Sequence, residues 1–285
     1  MNANFAPQLS LRTLLIHAAR QLAPQSDSAL LDAELLLAHV LDQSRSYLLT
    51  HADVRPDAPT VQRYAELIEQ RAAGKPLAYL TGEREFWSLP LTITPAVLVP
   101  RPETELVVER CLALLPDASA QVADLGTGSG AIALALASER PHWLVLATDI
   151  SAEALDVARA NAQRLALKNL QFLLGPWFSP LPRRRCALIV SNPPYIAADD
   201  AALGQPALSH EPRLALTPGA SGLEALSQII AGAEGYLADA GHLVLEHGAG
   251  QAEEVGKMLV HAGFANVRCY CDLAGRDRVT QAQKI

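Results

Sequence analysis

Gln121-Val122-Ala123-Asp124-Leu125-Gly126-Thr127-Gly128-Ser129-Gly130 runs directly into Ala131-Ile132-Ala133-Leu134-Ala135-Leu136-Ala137. The opening residues have the apolar character of a strand, the glycines mark a tight turn, and the alanine- and leucine-rich run reads as a helix. Glycine lets the backbone turn sharply and brings its N–H groups against a ligand beside a helix N-terminus. A second strand, residues 144–148, ends in Asp149, where nucleotide-binding folds place an acid on the ribose hydroxyls. Gly126, Gly128 and Ala131 also satisfy the spacing of a dinucleotide fingerprint, so the glycines alone leave a nicotinamide cofactor open. Asp124 tilts the choice, because a carboxylate just before the turn suits the ammonium of a methionine moiety and repels a pyrophosphate. Asp124 also reads as a plain turn-stabilising acid.

Outward from this stretch, strands and helices alternate. Strand patterns fall at residues 122–125, 144–148, 170–174, 187–190, 242–246, 265–270 and 279–284, with helices that include 152–165, 223–237 and 251–261. This rhythm predicts a doubly wound, Rossmann-like α/β sheet with ligands at the carboxyl ends of its strands. The fourth strand stops at Asn192-Pro193-Pro194-Tyr195. Proline has no N–H for a ladder, so the pair ends the strand in a stiff turn that carries exposed carbonyls, an amide and an aromatic ring.

A bare N-P-P is also the signature of an ordinary turn. Joined to the glycine loop, the set suits methylation of a planar NH2 whose lone pair is delocalised. The Asn192 oxygen and the Pro193 carbonyl accept the two N–H bonds, Tyr195 packs on the flat target, and the nitrogen is drawn toward a tetrahedral, nucleophilic shape. Loop and turn together point to S-adenosylmethionine and to a methyltransferase.

The chain has 285 residues, of which 50% are hydrophobic, enough for one large domain and a small one. No apolar run reaches a membrane span and no signal sequence opens the chain, so the expectation is a cytoplasmic protein with no membrane partner, monomeric by default. Cys111, Cys186, Cys269 and Cys271 show no C-x-x-C pairing and predict buried thiols in a reducing compartment, without disulfide or metal chemistry. His17 and His39 fall in apolar helical patterns as core or boundary residues, and His247 after Glu246 at a strand end is a lesser candidate for the pocket. The net charge is −7, and Arg183-Arg184-Arg185 is the only basic run, which argues against direct nucleic-acid binding.

Residues 1–80 lack strand patterns and read as a small helical bundle. Leu11, Leu14, Leu15, Ala18 and Leu22 form one stripe, and Leu31, Leu35, Leu36, Val40 and Leu41 a second, with Ser28 as its N-cap. A third helix runs from Val61 to Ala72 and stops near Gly74. Scaffold and partner-docking module are both open readings of this domain. Residues 81–100 form a β-hairpin linker in which Pro90 splits two strand-like pieces. The third domain, 101–285, opens with a helix headed by Pro100-Arg101-Pro102-Glu103-Thr104-Glu105.

Those residues, with Leu98 and Val99 before them, Asp124–Gly130, Asn192–Tyr195 and Glu211-Pro212-Arg213-Leu214-Ala215-Leu216 occur in the order seen in the HemK/PrmC release-factor glutamine methyltransferases, which the chain resembles over nearly its whole length. The resemblance implies methylation of the glutamine side-chain amide in the Gly-Gly-Gln tripeptide of class I peptide chain release factors. It also implies a seven-stranded sheet whose last strand is antiparallel, and an N-terminal domain that helps hold the release factor. By the same resemblance Asp124, Gly126, Thr127, Gly128, Ser129, Gly130 and Asp149 contact S-adenosylmethionine, with Trp177 against its adenine. Asn192 touches donor and target, and Pro193, Pro194 and Tyr195 shape the glutamine site. Pro176 departs from the aspartate of many relatives and cannot accept from the adenine amino group. The nearest alternative is an adenine-N6 nucleic-acid methyltransferase, which faces the same chemical problem but needs a basic channel and a flipped base.

Overall fold

The computed structural model, which describes residues 9–115, 119–182 and 185–285, divides after Gly82 into two units. Arg183 and Arg184 of the basic run lie outside the described residues, as do residues 1–8.

The first unit is helical: α1 (Leu11–Leu22), α2 (Ala29–Leu41), α3 (Arg45–Thr50), α4 (Ala58–Ala72) and α5 (Leu77–Thr81). Ser10 and Asp57 cap α1 and α4 by accepting from the backbone N–H three residues on, satisfying donors that a helix start leaves free. The predicted α1 stripe is buried throughout, and Gly74 follows α4 at φ 93°.

On α2 the buried face overlaps the predicted one but is rotated from it. Leu36 of the predicted stripe is fully buried and Val40 and Leu41 pack against the same core, but Ala33 and Leu37 are fully buried too, whereas Leu31 is 39% exposed. A paired carboxylate shares the inward face: Asp32 accepts from Arg71 Nε and from the Ser26 hydroxyl, each at 2.8 Å. Ser28 does not cap the helix; its hydroxyl donates to Asp32 Oδ1 at 3.3 Å. His39, predicted at the core or its boundary, is exposed. Of the cysteines expected to be buried, Cys111 and Cys186 are, whereas Cys269 and Cys271 are exposed.

The second unit opens with the hairpin β1 (Glu83–Phe86) and β2 (Leu89–Thr92). Trp87 and Ser88, both at positive φ, form the two-residue turn whose twist matches the flanking strands. Pro90, predicted to split the strand pieces, lies inside β2 opposite Glu85. A two-stranded ribbon leaves each strand an open edge, where the missing N–H is tolerated.

Then follow α6 (Glu105–Leu114), β3 (Gln121–Leu125), α7 (Ala131–Glu139), β4 (Leu144–Asp149), α8 (Ala152–Arg164), β5 (Leu170–Leu174), β6 (Cys186–Ser191), α9 (Pro206–Ser209), α10 (Glu224–Tyr236), β7 (Leu237–Glu246), α11 (Ala252–His261), β8 (Phe264–Cys271) and β9 (Asp277–Lys284). The seven strands are ordered β5-β4-β3-β6-β7-β9-β8. From β5 to β7 all pairs are parallel, and β9 runs antiparallel between β7 and β8. This is a Rossmann-like mixed sheet with flanking helices, its last strand reversed.

Strand order reverses between β3 and β6, and a crevice forms at such a switch point beyond the carboxyl ends of the strands. Helix α7 is buried along the whole of Ala131–Ala137, because alanine lets α6, α8 and β4 approach from several sides. The core under the crevice joins Leu125, Ile189, Leu226, Ile229, Leu243 and Leu245 from strands and from α10. No helix among the described residues is long and apolar enough to cross a membrane.

Candidate active site

A cavity of about 410 Å³ opens at the switch point, in the size range of small-ligand pockets. Its floor is the loop after β3. Gly126 and Thr127 each donate a backbone N–H to the Thr148 carbonyl at 2.9 Å, and Gly128 N–H donates to Asp149 Oδ2 at 2.8 Å. The other Asp149 oxygen accepts from Ser151 N–H at 2.9 Å. Burial raises the Asp149 pKa, opposed by these backbone bonds.

Trp177 forms one wall. Its indole N–H donates to Gln228 Oε1 at 2.9 Å, and its carbonyl accepts from the Thr148 hydroxyl at 3.0 Å. A Cβ on Gly126 would stand 3.3 Å from this ring, so glycine there admits the indole as well as the turn at φ 73°.

Asp124 lies behind the loop and off the cavity wall. Its Oδ2 accepts from the Thr127 hydroxyl at 2.6 Å, while Oδ1 is buried without a hydrogen-bond partner. Burial, against the Thr127 bond, pushes its pKa up to about 7.

The turn after β6 supplies the opposite side. The Ser191 hydroxyl donates to the Leu125 carbonyl at 2.6 Å, tying the two strand ends together. Asn192 and Pro194 line the cavity, whereas Pro193 is buried and Tyr195 is half-buried beside it. Asn192 Nδ2 donates to the Thr104 hydroxyl at 3.1 Å, which leaves Oδ1 as the amide atom available to a ligand. The Tyr195 hydroxyl donates to Glu246 Oε1 at 3.2 Å, and its carbonyl accepts from Gln251 Nε2 at 3.0 Å.

Two further segments close over the cavity. Glu211, buried, accepts from Val99 N–H at 3.0 Å and from the Arg101 guanidinium, joining the two. Pro100, Arg101 and Thr104 line one flank, and Pro212, Leu214 and Thr217 the other. With the walls in place, the arrangement can seat a flat, partly apolar ligand on the glycine loop and offer a second one an amide oxygen.

A family described as PrmC N-terminal domain matches residues 13–82, and one described as methyltransferase small domain matches residues 104–214. A release factor glutamine methyltransferase from Coxiella burnetii is 44% identical over 97% of this chain and 99% of its own length. Proteins of the same name from Xylella fastidiosa and Escherichia coli are 50% and 44% identical, over 87% and 90% of this chain and 91% and 92% of their own. The chain belongs to the release factor glutamine methyltransferase family.

Among solved structures, a methyltransferase from Pyrococcus furiosus aligns with TM-score 0.53 and 17% identity over 78% of this chain and 98% of that one. A T. thermophilus 16S rRNA methyltransferase, solved in complex with AdoMet and guanosine, aligns with TM-score 0.54 and 20% identity over 71% of this chain and 50% of that one. At such identities these likenesses show the shared fold.

For this family member the structure brings Gly126, Thr127, Gly128, Ser129, Asp149, Trp177, Asn192 and Pro194 into the lining of one cavity. Asp124, Gly130, Pro193 and Tyr195 are not in that lining. His247 is turned away from it: its ring meets the Gly248 carbonyl at 2.9 Å and the Thr280 hydroxyl at 2.8 Å, and the ring is buried against β9. Among the described residues no cluster of His, Cys, Asp or Glu could hold a metal.

Sequence reasoning assigned no role to Arg101, Thr104, Glu211, Glu246 or Gln251. One signal was readable for Glu246, an acid at the carboxyl end of an otherwise apolar strand, on the edge where such folds keep their sites. Thr104 lies in the Pro100–Glu105 motif, but a threonine at a helix start is an ordinary residue and nothing in the motif pointed to Asn192 as its partner.

Proposed function

We propose that this chain transfers a methyl group from S-adenosylmethionine to the side-chain amide nitrogen of the glutamine in the Gly-Gly-Gln tripeptide of class I release factors. The observation that carries the reading is the Asn192 amide, which lines the same cavity as the glycine loop with its nitrogen committed to Thr104 and its oxygen free.

The residues fit the cofactor. The loop turns at glycines with positive φ, one of them pressed against the indole, so side chains there would close the cradle. Asp149, at the end of β4, offers lone pairs to ribose hydroxyls. Trp177 and Ile150 present apolar surface to a base, and this meets the absence of an acid at Pro176. Asp124 acts through Thr127, holding the loop from behind. When bound, S-adenosylmethionine supplies an electrophilic methyl carbon.

The chain's own work is to present the amide. Asn192 Oδ1 accepts an N–H bond of the glutamine carboxamide and draws its nitrogen out of conjugation, while Pro193, buried beside it, keeps the turn stiff. Tyr195 stiffens the turn through both of its ends. No strong base is required, since the alkylated nitrogen loses its proton readily. Positioning of this kind supplies roughly 7–11 kcal/mol in well-aligned reactions. The segments joined by Glu211 exclude water, and the helical unit, residues 1–80, docks the release factor in the cytoplasm.

Mass spectrometry of a release factor incubated with the protein and S-adenosylmethionine tests the reading. The expected product carries the mass of one methyl group on the tripeptide glutamine. An unmodified release factor, or methyl groups on adenine of added nucleic acid, would overturn it.

A further inference from the structure

We propose that Asn161 is a positioning residue for the cofactor: its buried amide braces the last peptide of the glycine loop against the end of β2. The inference rests on the proposed function for one thing only, the identity of the ligand that the loop holds.

Asn161 lies in α8 and is fully buried. Asparagine is a modest helix former, and an amide taken out of water without partners is costly. Its bonds account for its place. Oδ1 accepts from Thr92 N–H at 2.7 Å, and Nδ2 donates to the Thr92 carbonyl at 3.0 Å. Thr92 is the last residue of β2, and the amide meets both of its backbone groups as a residue of an antiparallel partner strand would. The second proton of Nδ2 goes to the Ser129 carbonyl, also at 3.0 Å.

Ser129 belongs to the cavity lining. The peptide that joins it to Gly130 is bonded at both ends, since Gly130 N–H donates to the Thr127 carbonyl at 2.9 Å. With its carbonyl held by Asn161 this peptide cannot turn over, and Gly130 keeps the left-handed φ of 86° from which α7 starts. The α8 surface abuts the loop here: a Cβ on Gly130 would stand 3.2 Å from Ala158 Cβ, about one turn ahead of Asn161. Thus β4 and Asp149 hold N–H groups of the loop, and Asn161 holds a carbonyl at its far end.

The hairpin has other ties that do not touch the loop. Arg164 Nη1 meets Glu83 Oε1 at 2.7 Å and Thr92 Oγ1 at 3.3 Å. Trp87 donates from its backbone to Glu105 and from its indole to Glu139, each at 2.8 Å. The seating of the hairpin can therefore be weakened at Arg164 without removing the donor to Ser129. Without Asn161, by contrast, the Ser129 carbonyl loses its partner, and the cofactor must fix a loose peptide as it binds.

The experiment measures S-adenosylmethionine binding by calorimetry for wild type, Asn161→Leu, Asn161→Asp and Arg164→Ala, each below its melting temperature. Leucine nearly keeps the volume of the amide and aspartate its shape, but neither leucine nor an ionised carboxylate has a proton for Ser129. Both Asn161 variants should raise cofactor Kd by on the order of tenfold, the scale of one buried hydrogen bond, with wild-type stoichiometry. A wild-type Kd with lowered stoichiometry would mean that Asn161 only keeps molecules folded, and would overturn the inference. Arg164→Ala should keep the wild-type Kd; a rise equal to that of the Asn161 variants would trace the effect to the hairpin and overturn it as well. In turnover on release factor the loss should sit in the cofactor KM, and a loss confined to kcat would count against the inference. Should neither Asn161 variant fold, wild type decides: saturating cofactor should slow hydrogen exchange at Thr92 N–H, which Asn161 joins to the loop, and an unchanged rate would overturn the inference. Wild type that binds the cofactor and leaves the release factor unmethylated would remove the proposed function and leave this inference standing.

Discussion

The glycine loop after β3 and the proline turn after β6 end neighbouring strands in one crevice, yet they are held in different ways. The loop is held by backbone: its N–H groups bond to β4 and to Asp149, a short distance along the chain. The turn is held by side chains from far away, Thr104 at 88 positions, Glu246 at 51 and Gln251 at 56. A backbone cradle tolerates change in most of its side chains but not in its glycines, and it serves binding. A side-chain clamp sets the orientation of one amide, and it serves the rate. Damage to the loop should therefore appear in cofactor affinity, and damage to the turn in turnover.

The largest expected effect is at Asn192. Asn192→Ala should lower single-turnover methylation by on the order of 10³-fold, the scale seen when one preorganised polar group is removed from a reacting centre. Calorimetric affinity for S-adenosylmethionine should fall far less, and equal losses in both would erase the distinction drawn here. Next comes Gly222→Ala. At φ 77° a Cβ there would lie 2.6 Å from the Tyr195 carbonyl oxygen, so the turn must move. A displacement near 1 Å should cost on the order of 100-fold in kcat, with cofactor affinity preserved.

Gly126→Ala probes the other side. The left-handed backbone costs an alanine roughly 1–2 kcal/mol, about tenfold in cofactor Kd if only the bound loop pays it. Saturating cofactor should restore most of the turnover; a lasting loss of kcat would mean that the loop also sets the reaction geometry.

The smallest effect belongs outside both strand ends. Asp57 caps α4 in the helical unit, and the Thr60 side chain and N–H hold its pKa below the ordinary carboxylate value. Its contribution to stability is present above the ordinary carboxylate pKa and is lost as pH falls through the lowered one. Melting curves of Asp57→Ala should therefore lie slightly below wild type at neutral pH and converge with it in acid, with kcat on free release factor unchanged at neutral pH.

Much of this molecule was readable without coordinates, for reasons that differ from place to place. The patterns of β3, β4 and β6 emerged because central parallel strands are buried on both faces and show as apolar runs. The α1 stripe could be read from its spacing, and that of α2 only in part. Leucine spacing there selects Leu36, which is buried, but also Leu31, which is exposed, and a buried Asp32 paired with Arg71 cannot be foreseen from periodicity. In the hairpin, Pro90 was a stronger textual mark than Trp87-Ser88, although the latter pair makes the turn. At the site, residues whose chemistry is intrinsic stood out, among them glycines that take positive φ and prolines that cannot join a ladder. Residues whose meaning lies in a partner did not: Gln251 carried no mark, and Thr104 and Glu211 stood only as letters of a motif, without a role.

The chain's order of residues determined by itself where the two motif-bearing strands end, which face of α1 is apolar, and which two motifs carry chemistry. These follow from local properties: hydrophobic period, backbone freedom and the missing proline N–H. Tertiary structure alone decided that β3 and β6 would be neighbours, that Asp124 would stand behind the loop, that Thr104 would meet Asn192, and that Glu246 would meet Tyr195. Such contacts join residues remote along the chain, and a hydrogen bond's direction depends on which partner the fold delivers.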